Sequence, residues 1–147
     1  MKVIFFLLAF LPGLLFAQTA KENRAVVYDV VITRVVDGDT VAFRADWLPD
    51  PLKKELSIRI FGVDTPEKGH RAKCPQEAQR GEMASAYTKQ LVAAAKTRQI
   101  ALMGWDKYGG RVLGAIILDG VDLRTELIRN GFAVPYFGDK KEHDWCK

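Results

Sequence analysis

The chain of 147 residues carries 22 Lys and Arg against 18 Asp and Glu, a formal charge of +4, and has a sequence pI near 9.1. That length accommodates one domain. A hydrophobic fraction of 48% with 27% charged residues excludes disorder, collagen and coiled coil as whole-chain descriptions, and the positive excess favours anionic partners without identifying one.

Lys2, the apolar run Val3 to Leu11, the Pro12-Gly13 break and Leu14 to Ala17 have the zones of a secretory signal peptide. Residues 1–17 read as that segment, with cleavage after Ala17 or as late as Ala20. Residues 25–147 then read as a single domain, secreted or periplasmic. The apolar run is shorter than the ~20 residues a bilayer span needs, which disfavours a retained anchor. Export changes the meaning of the two cysteines, Cys74 and Cys146. In an oxidising compartment they are expected to pair, closing a loop worth ~4 kcal/mol by chain-entropy arithmetic. His70 and His143 stand four and three residues before them, so a zinc tetrad is the competing assignment.

Ala25 to Val36, rich in Val and Ile, predicts one long strand. Asp37-Gly38 is a hairpin signal leading to a second strand, Thr40 to Arg44. Pro49-Asp50-Pro51 marks a loop before a third strand from Glu55 to Val63. A polar loop over 64–74 leads to Pro75, favoured in the first turn of a helix. Met83, Tyr87, Leu91 and Ala95 recur at i+4 as that helix's apolar stripe. Gln99 to Trp105 and Val112 to Leu118 read as strands joined by a turn over 106–110. Asp122 caps a short helix from Leu123 to Arg129 that Asn130-Gly131 ends, and the tail after Val134 is irregular and charged. This order predicts an α+β, mostly β fold: a five-stranded OB-type barrel with a helix after strand 3 and a short helix after strand 5.

Asp37-Gly38-Asp39-Thr40 and Asp64-Thr65-Pro66-Glu67 each have an ordinary reading as turns. The first is no EF-hand loop, because Val41 stands where a ligand is required. In a meander the two segments lie side by side and would gather Asp39, Asp64 and Glu67, whose charges repel unless cations balance them. Such oxygen ligands suit Ca²⁺ or Mg²⁺, not zinc. Arg59, inside an apolar strand, and Arg111, after a glycine turn, supply guanidinium forks that, with a divalent ion, suit a phosphodiester. Arg59 and Asp64 differ by five positions, so alternation sends them to opposite faces unless the strand breaks between them, near Gly62.

In order and spacing, Asp37 to Thr40 (DGDT), Arg59 to Glu67 (RIFGVDTPE), Asp106 to Arg111 (DKYGGR) and Leu127 to Ala133 (LIRNGFA) resemble the staphylococcal nuclease (thermonuclease-like) family over roughly residues 26–134. The resemblance implies an OB-type barrel and Ca²⁺-dependent hydrolysis of DNA and/or RNA phosphodiesters with low sequence specificity, Mg²⁺ being a weaker substitute. It implies Asp39, Asp64 and, through its backbone carbonyl, Thr65 as metal ligands, and Glu67 as the residue that activates the attacking water. Arg59 and Arg111 resemble the family's phosphate-gripping pair, and Lys107, Tyr108 and Tyr136 its nucleotide contacts. This chain departs from the family in an extra glycine before Arg111 and in a tail too short for the family's last helix. A Cys74–Cys146 bridge is expected to pin the tail in that helix's place.

Lys53, Lys54, Lys68, His70, Arg71 and Lys73 are candidates for nucleic-acid backbone contacts, with a solvated surface as their ordinary alternative. Trp47, Trp105 and Trp145 are candidates for base stacking, against ordinary roles in core or tail. The leading reading is a monomeric exported nuclease acting on DNA and/or RNA. The alternative is a non-catalytic OB-type module that binds single-stranded nucleic acid, and an exported partner-binding domain would leave the charged cluster unexplained.

Overall fold

A computed structural model describes residues 26–50, 55–107 and 109–147. The expected signal peptide, Lys53, Lys54 and Tyr108 lie outside the described residues. In chain order the strands are β1 (Val27–Asp29), β2 (Val31–Asp37), β3 (Thr40–Arg44), β4 (Leu56–Ile60), β5 (Val63–Asp64), β6 (Arg98–Trp105), β7 (Arg111–Leu118), β8 (Val121–Asp122) and β9 (Val134–Pro135). The helices are α1 (Pro75–Ala94) and α2 (Leu123–Arg129).

The predicted first strand is divided at Val30, whose N–H donates to the Arg98 carbonyl at 3.0 Å. The run changes partners there: β1 pairs with β6 and β2 with β3. From β3 the row continues antiparallel to β4, parallel to β7 and antiparallel to β6. Because β1 and β2 are halves of one bent run, the row returns to its start and forms the predicted five-stranded OB-type ring. Alternation turns Ile58 and Ile60 of β4 and Val112, Ile116 and Leu118 of β7 inward, where they meet Val41, Phe43 and Ile100. Each fully buried side chain of this size contributes ~1.5–3 kcal/mol of hydrophobic stabilisation, so this interior is the main cohesive element.

Beyond Ile60 the chain leaves the ring. The Ile60 N–H donates to the Asp39 carbonyl at 2.8 Å. Gly62 takes φ +83°, a conformation that disfavours any residue with a Cβ. β5 then pairs with β9 instead of extending β4, so the break that parity required between Arg59 and Asp64 falls at Phe61-Gly62.

Helix α1 lies against β2, and the predicted stripe supplies only part of its packed face: Ala95, just past its end, is buried in the core. Its buried positions are Glu77, Gly81, Ala84, Ser85, Thr88 and Val92, while Met83 is 54% exposed. Tyr87 and Leu91 pack only partly against the interior. The reason is close approach to loops. Thr88 Oγ1 donates to the Gly38 carbonyl at 2.7 Å, and a Cβ on Gly38 would come within 2.9 Å of Ala84 Cβ. Gly38 does not take positive φ, so helix contact, not hairpin geometry, requires a glycine there. Helix α2 follows the prediction: Asp122 accepts from the Arg124 N–H at 2.9 Å and caps it.

Cys74 and Cys146 form a disulfide with Cα atoms 6.0 Å apart, which removes the zinc-tetrad assignment. The bridge ties the tail to the N-terminus of α1, where Cys74 Sγ also accepts from the Glu77 N–H at 3.3 Å. The sequence separation of 72 makes the unfolded loop large, so replacing both cysteines by serine should lower the unfolding free energy by about 4 kcal/mol in denaturant titration.

Candidate functional site

The rim of the barrel gathers the acids that the sequence singled out. Asp39 lies in the β2–β3 hairpin and Asp64 ends β5, and both are nearly inaccessible, at 5% and 3% exposure. Arg59, on the outward face of β4, reaches both: its Nη2 stands 3.0 Å from Asp39 Oδ2 and 3.8 Å from Asp64 Oδ1. Thr40 Oγ1 donates to Asp39 Oδ1 at 2.8 Å, and Thr65 is buried directly after Asp64. Burial pushes the Asp39 carboxyl above its ordinary pKa against the pull of Arg59 and the Thr40 hydroxyl, with Asp37 and Asp64 adding to the push.

Glu67 sits where two cations converge. Arg71 Nε is 3.5 Å from its Oε2 and Lys141 Nζ 3.9 Å from its Oε1. Lys141 also stands 2.6 Å from Asp64 Oδ1, a buried oxygen that receives no directed hydrogen bond. Lys141 thus links Asp64 to Glu67 as Arg59 links Asp39 to Asp64. The loop carrying Glu67 is clasped by Glu77, a buried carboxylate that accepts from the Glu67 N–H at 3.3 Å and the Lys73 N–H at 2.6 Å. Gly81 lets α1 touch the same loop: a Cβ there would fall on the Glu67 carbonyl and within 2.9 Å of the Pro66 oxygen.

A cleft of about 500 Å³ opens over this rim, lined among others by Arg59, Glu67, Trp105, Lys107, Arg111 and Tyr136. Arg111 is held by Asp106, through Nε at 2.9 Å and a closer contact from Nη2. It therefore faces the same space as Arg59 and Glu67 while bound to a different acid. Lys107 and Tyr136, expected as nucleotide contacts, also line the cleft. Lys68 and Arg71 instead pair with Asp37, at 3.8 Å and 2.7 Å.

The three tryptophans differ. Trp47 stacks on Tyr28 and donates to the Asp29 carbonyl, and Trp145 is buried, donating to Asp64 Oδ2 at 3.2 Å. Trp105 is 67% exposed in the cleft. Sequence reasoning missed Lys141 and Glu77 and gave Trp145 no link to Asp64. The expected Cys74–Cys146 bridge was the signal that the tail is anchored.

Among the described residues no three His, Cys, Asp or Glu side chains converge tightly enough to hold an ion by themselves. The donors that fit a hard divalent cation are two carboxylates, Asp39 and Asp64, and the Thr65 carbonyl, the remaining positions falling to water or substrate oxygens. The chemistry of these donors favours that fit: both carboxylates are buried and already draw cations, Arg59 to Asp39 at 3.0 Å and Lys141 to Asp64 at 2.6 Å.

An OB-type barrel with buried acids and arginines at one rim defines a narrow class. The family described as "Staphylococcal nuclease homologue" matches residues 57–145, and the chain belongs to that family. "Endonuclease YhcR" of Bacillus subtilis (strain 168) is 32% identical over 130 residues, 84% of this chain and 10% of that protein. "Endonuclease YncB" of the same organism is 32% identical over 114 residues, 76% of this chain and 50% of that protein. "Probable endonuclease LCL3" of Yarrowia lipolytica (strain CLIB 122 / E 150) is 35% identical over 89 residues, 58% and 38% of the respective chains. The chain thus spans from 10% to 50% of the length of these curated relatives.

Asp39 holds its proton to higher pH in the folded chain than in the unfolded one, so its contribution to stability falls as pH rises between those two pKa values. Asp39→Asn should therefore raise the denaturation midpoint at pH 7 in chelator. The gain should shrink as pH approaches the ordinary carboxylate value of ~3.9, as pH-dependent denaturant titration will show. Gly81→Ala should displace the Glu67 backbone. Overpacking of this kind costs ~1–3 kcal/mol, only partly offset by better helix propensity, and a thermal melt measures it.

Proposed function

We propose that this chain is an exported, metal-dependent nuclease that hydrolyses DNA and/or RNA phosphodiesters with low sequence specificity. The observation that carries this is Arg59 bridging two buried carboxylates beside a cleft that Glu67 and Arg111 also line. Family membership and relatives named endonucleases support it. Export is supported by the N-terminal pattern and by a disulfide, which persists in oxidising compartments.

Asp39, Asp64 and the Thr65 carbonyl would hold Ca²⁺, with Mg²⁺ a weaker substitute because it demands stricter geometry. When bound, the ion supplies positive charge that polarises the phosphate. Glu67 accepts a proton from the attacking water; Arg71 and Lys141 hold its carboxylate in place until then. Arg59 and Arg111 turn their N–H groups to the non-bridging oxygens, where negative charge grows as phosphorus becomes five-coordinate. Lys107 and Tyr136 hold the remainder of the nucleotide in the cleft, Tyr108 being assigned by sequence alone.

Purified protein incubated with plasmid DNA and total RNA should cleave in Ca²⁺ and stop in chelator. Glu67→Gln should lower turnover ~10²–10⁴-fold and Arg59→Ala about a hundredfold or more. Wild-type rates in the Glu67 variant would overturn its assignment as base. Salt-dependent binding without cleavage would favour the non-catalytic module.

A further inference from the structure

The site assignment leaves unexplained a buried indole against the proposed metal ligand Asp64. Trp145 is 9% exposed, and its Nε1–H donates to Asp64 Oδ2 at 3.2 Å across 81 positions of sequence. Arg80 Nη1 donates to the Trp145 carbonyl at 2.6 Å, His143 packs its ring edgewise on the indole with centroids 4.2 Å apart, and the next residue is bonded to Cys74. The indole is therefore fixed from several sides.

Indole is a donor only and carries no charge. It cannot ligate an ion and does not compete for one as an ammonium would. What it does is occupy one oxygen of a two-oxygen group. With Oδ2 taken, the other oxygen, Oδ1, is the one turned to Arg59 at 3.8 Å and to the Lys141 ammonium at 2.6 Å, and a divalent ion arriving there would displace Lys141. We propose that Trp145 is a positioning residue that holds the Asp64 carboxylate for single-oxygen coordination of the divalent ion, delivered to the site by the disulfide-anchored tail. This rests on the reading of Asp64 as a metal ligand. Outer partners of this kind change metal affinity by 10–100-fold when removed.

The test is calorimetric titration of the whole protein with Ca²⁺ alone, without nucleic acid, alongside denaturation in chelator. Trp145→Phe keeps a ring and removes the donor, and should weaken Ca²⁺ binding by about 10–100-fold. A tail plug with no positioning role would lower the denaturation midpoint and leave the affinity of the folded protein unchanged. Arg80→Met, which loosens the clamp without touching the indole, should shift affinity in the same direction and decides the matter if Trp145→Phe fails to fold. Asp64→Asn is the reference. If Asp64→Asn abolishes Ca²⁺ binding while Trp145→Phe binds as tightly as the parent, the positioning role is overturned. If Asp64→Asn also binds as tightly, the assignment of Asp64 falls and takes this inference with it.

Discussion

A single guanidinium shared by two carboxylates, Arg59 between Asp39 and Asp64, imposes the main demand on the rest of the molecule. Two acids this deeply buried repel each other and lose hydration, so each must find compensation within a few ångströms. The fold meets that demand from three directions. The β2–β3 hairpin supplies Asp39 and β4 supplies Arg59 in register opposite Thr40. The chain then breaks at Gly62 so that Asp64 returns to the same rim. The apolar interior below serves this arrangement by holding β3, β4 and β7 in a fixed order.

Much of this was legible in the sequence. Alternation, turn residues and the Pro75 signal placed the strands and both helices close to their observed limits, because those patterns report local backbone preference and one-sided burial. The parity conflict between Arg59 and Asp64 located the break, since a strand allows no other way of bringing positions five apart onto one side. The bend at Val30 was not legible: it arises from a change of pairing partner that leaves a continuous run of β-formers unmarked. Nor was the packed face of α1. It is built from Gly81, Ala84, Ser85 and Thr88, small or polar residues that periodicity counts as exposed and that close backbone approach makes interior.

The convergence of these acids and arginines was legible in the sequence, and the groups that support them were not. Asp39, Arg59, Asp64 and Glu67 belong to short segments with a recognisable order. Lys141, Trp145 and Glu77 reach the same acids from a charged tail and a helix's first turn. Such partners are set by tertiary geometry, and Lys and Glu are common enough on solvated surfaces to carry no local signal, while a tryptophan signals burial without naming its partner.

Both arginines of the cleft are already engaged, Arg59 with Asp39 and Arg111 with Asp106. An arriving phosphate on the proposed reading therefore exchanges with a resident carboxylate; it does not meet bare positive charge. On that reading chloride and other small ions would compete poorly for the site, because they offer too little to displace an acid tethered alongside. On the same reading each arginine that turns to a phosphate frees a carboxylate that takes up a cation in turn, so the net liberation of counterions, and with it the effect of ionic strength, would fall below what the number of basic groups in the cleft suggests.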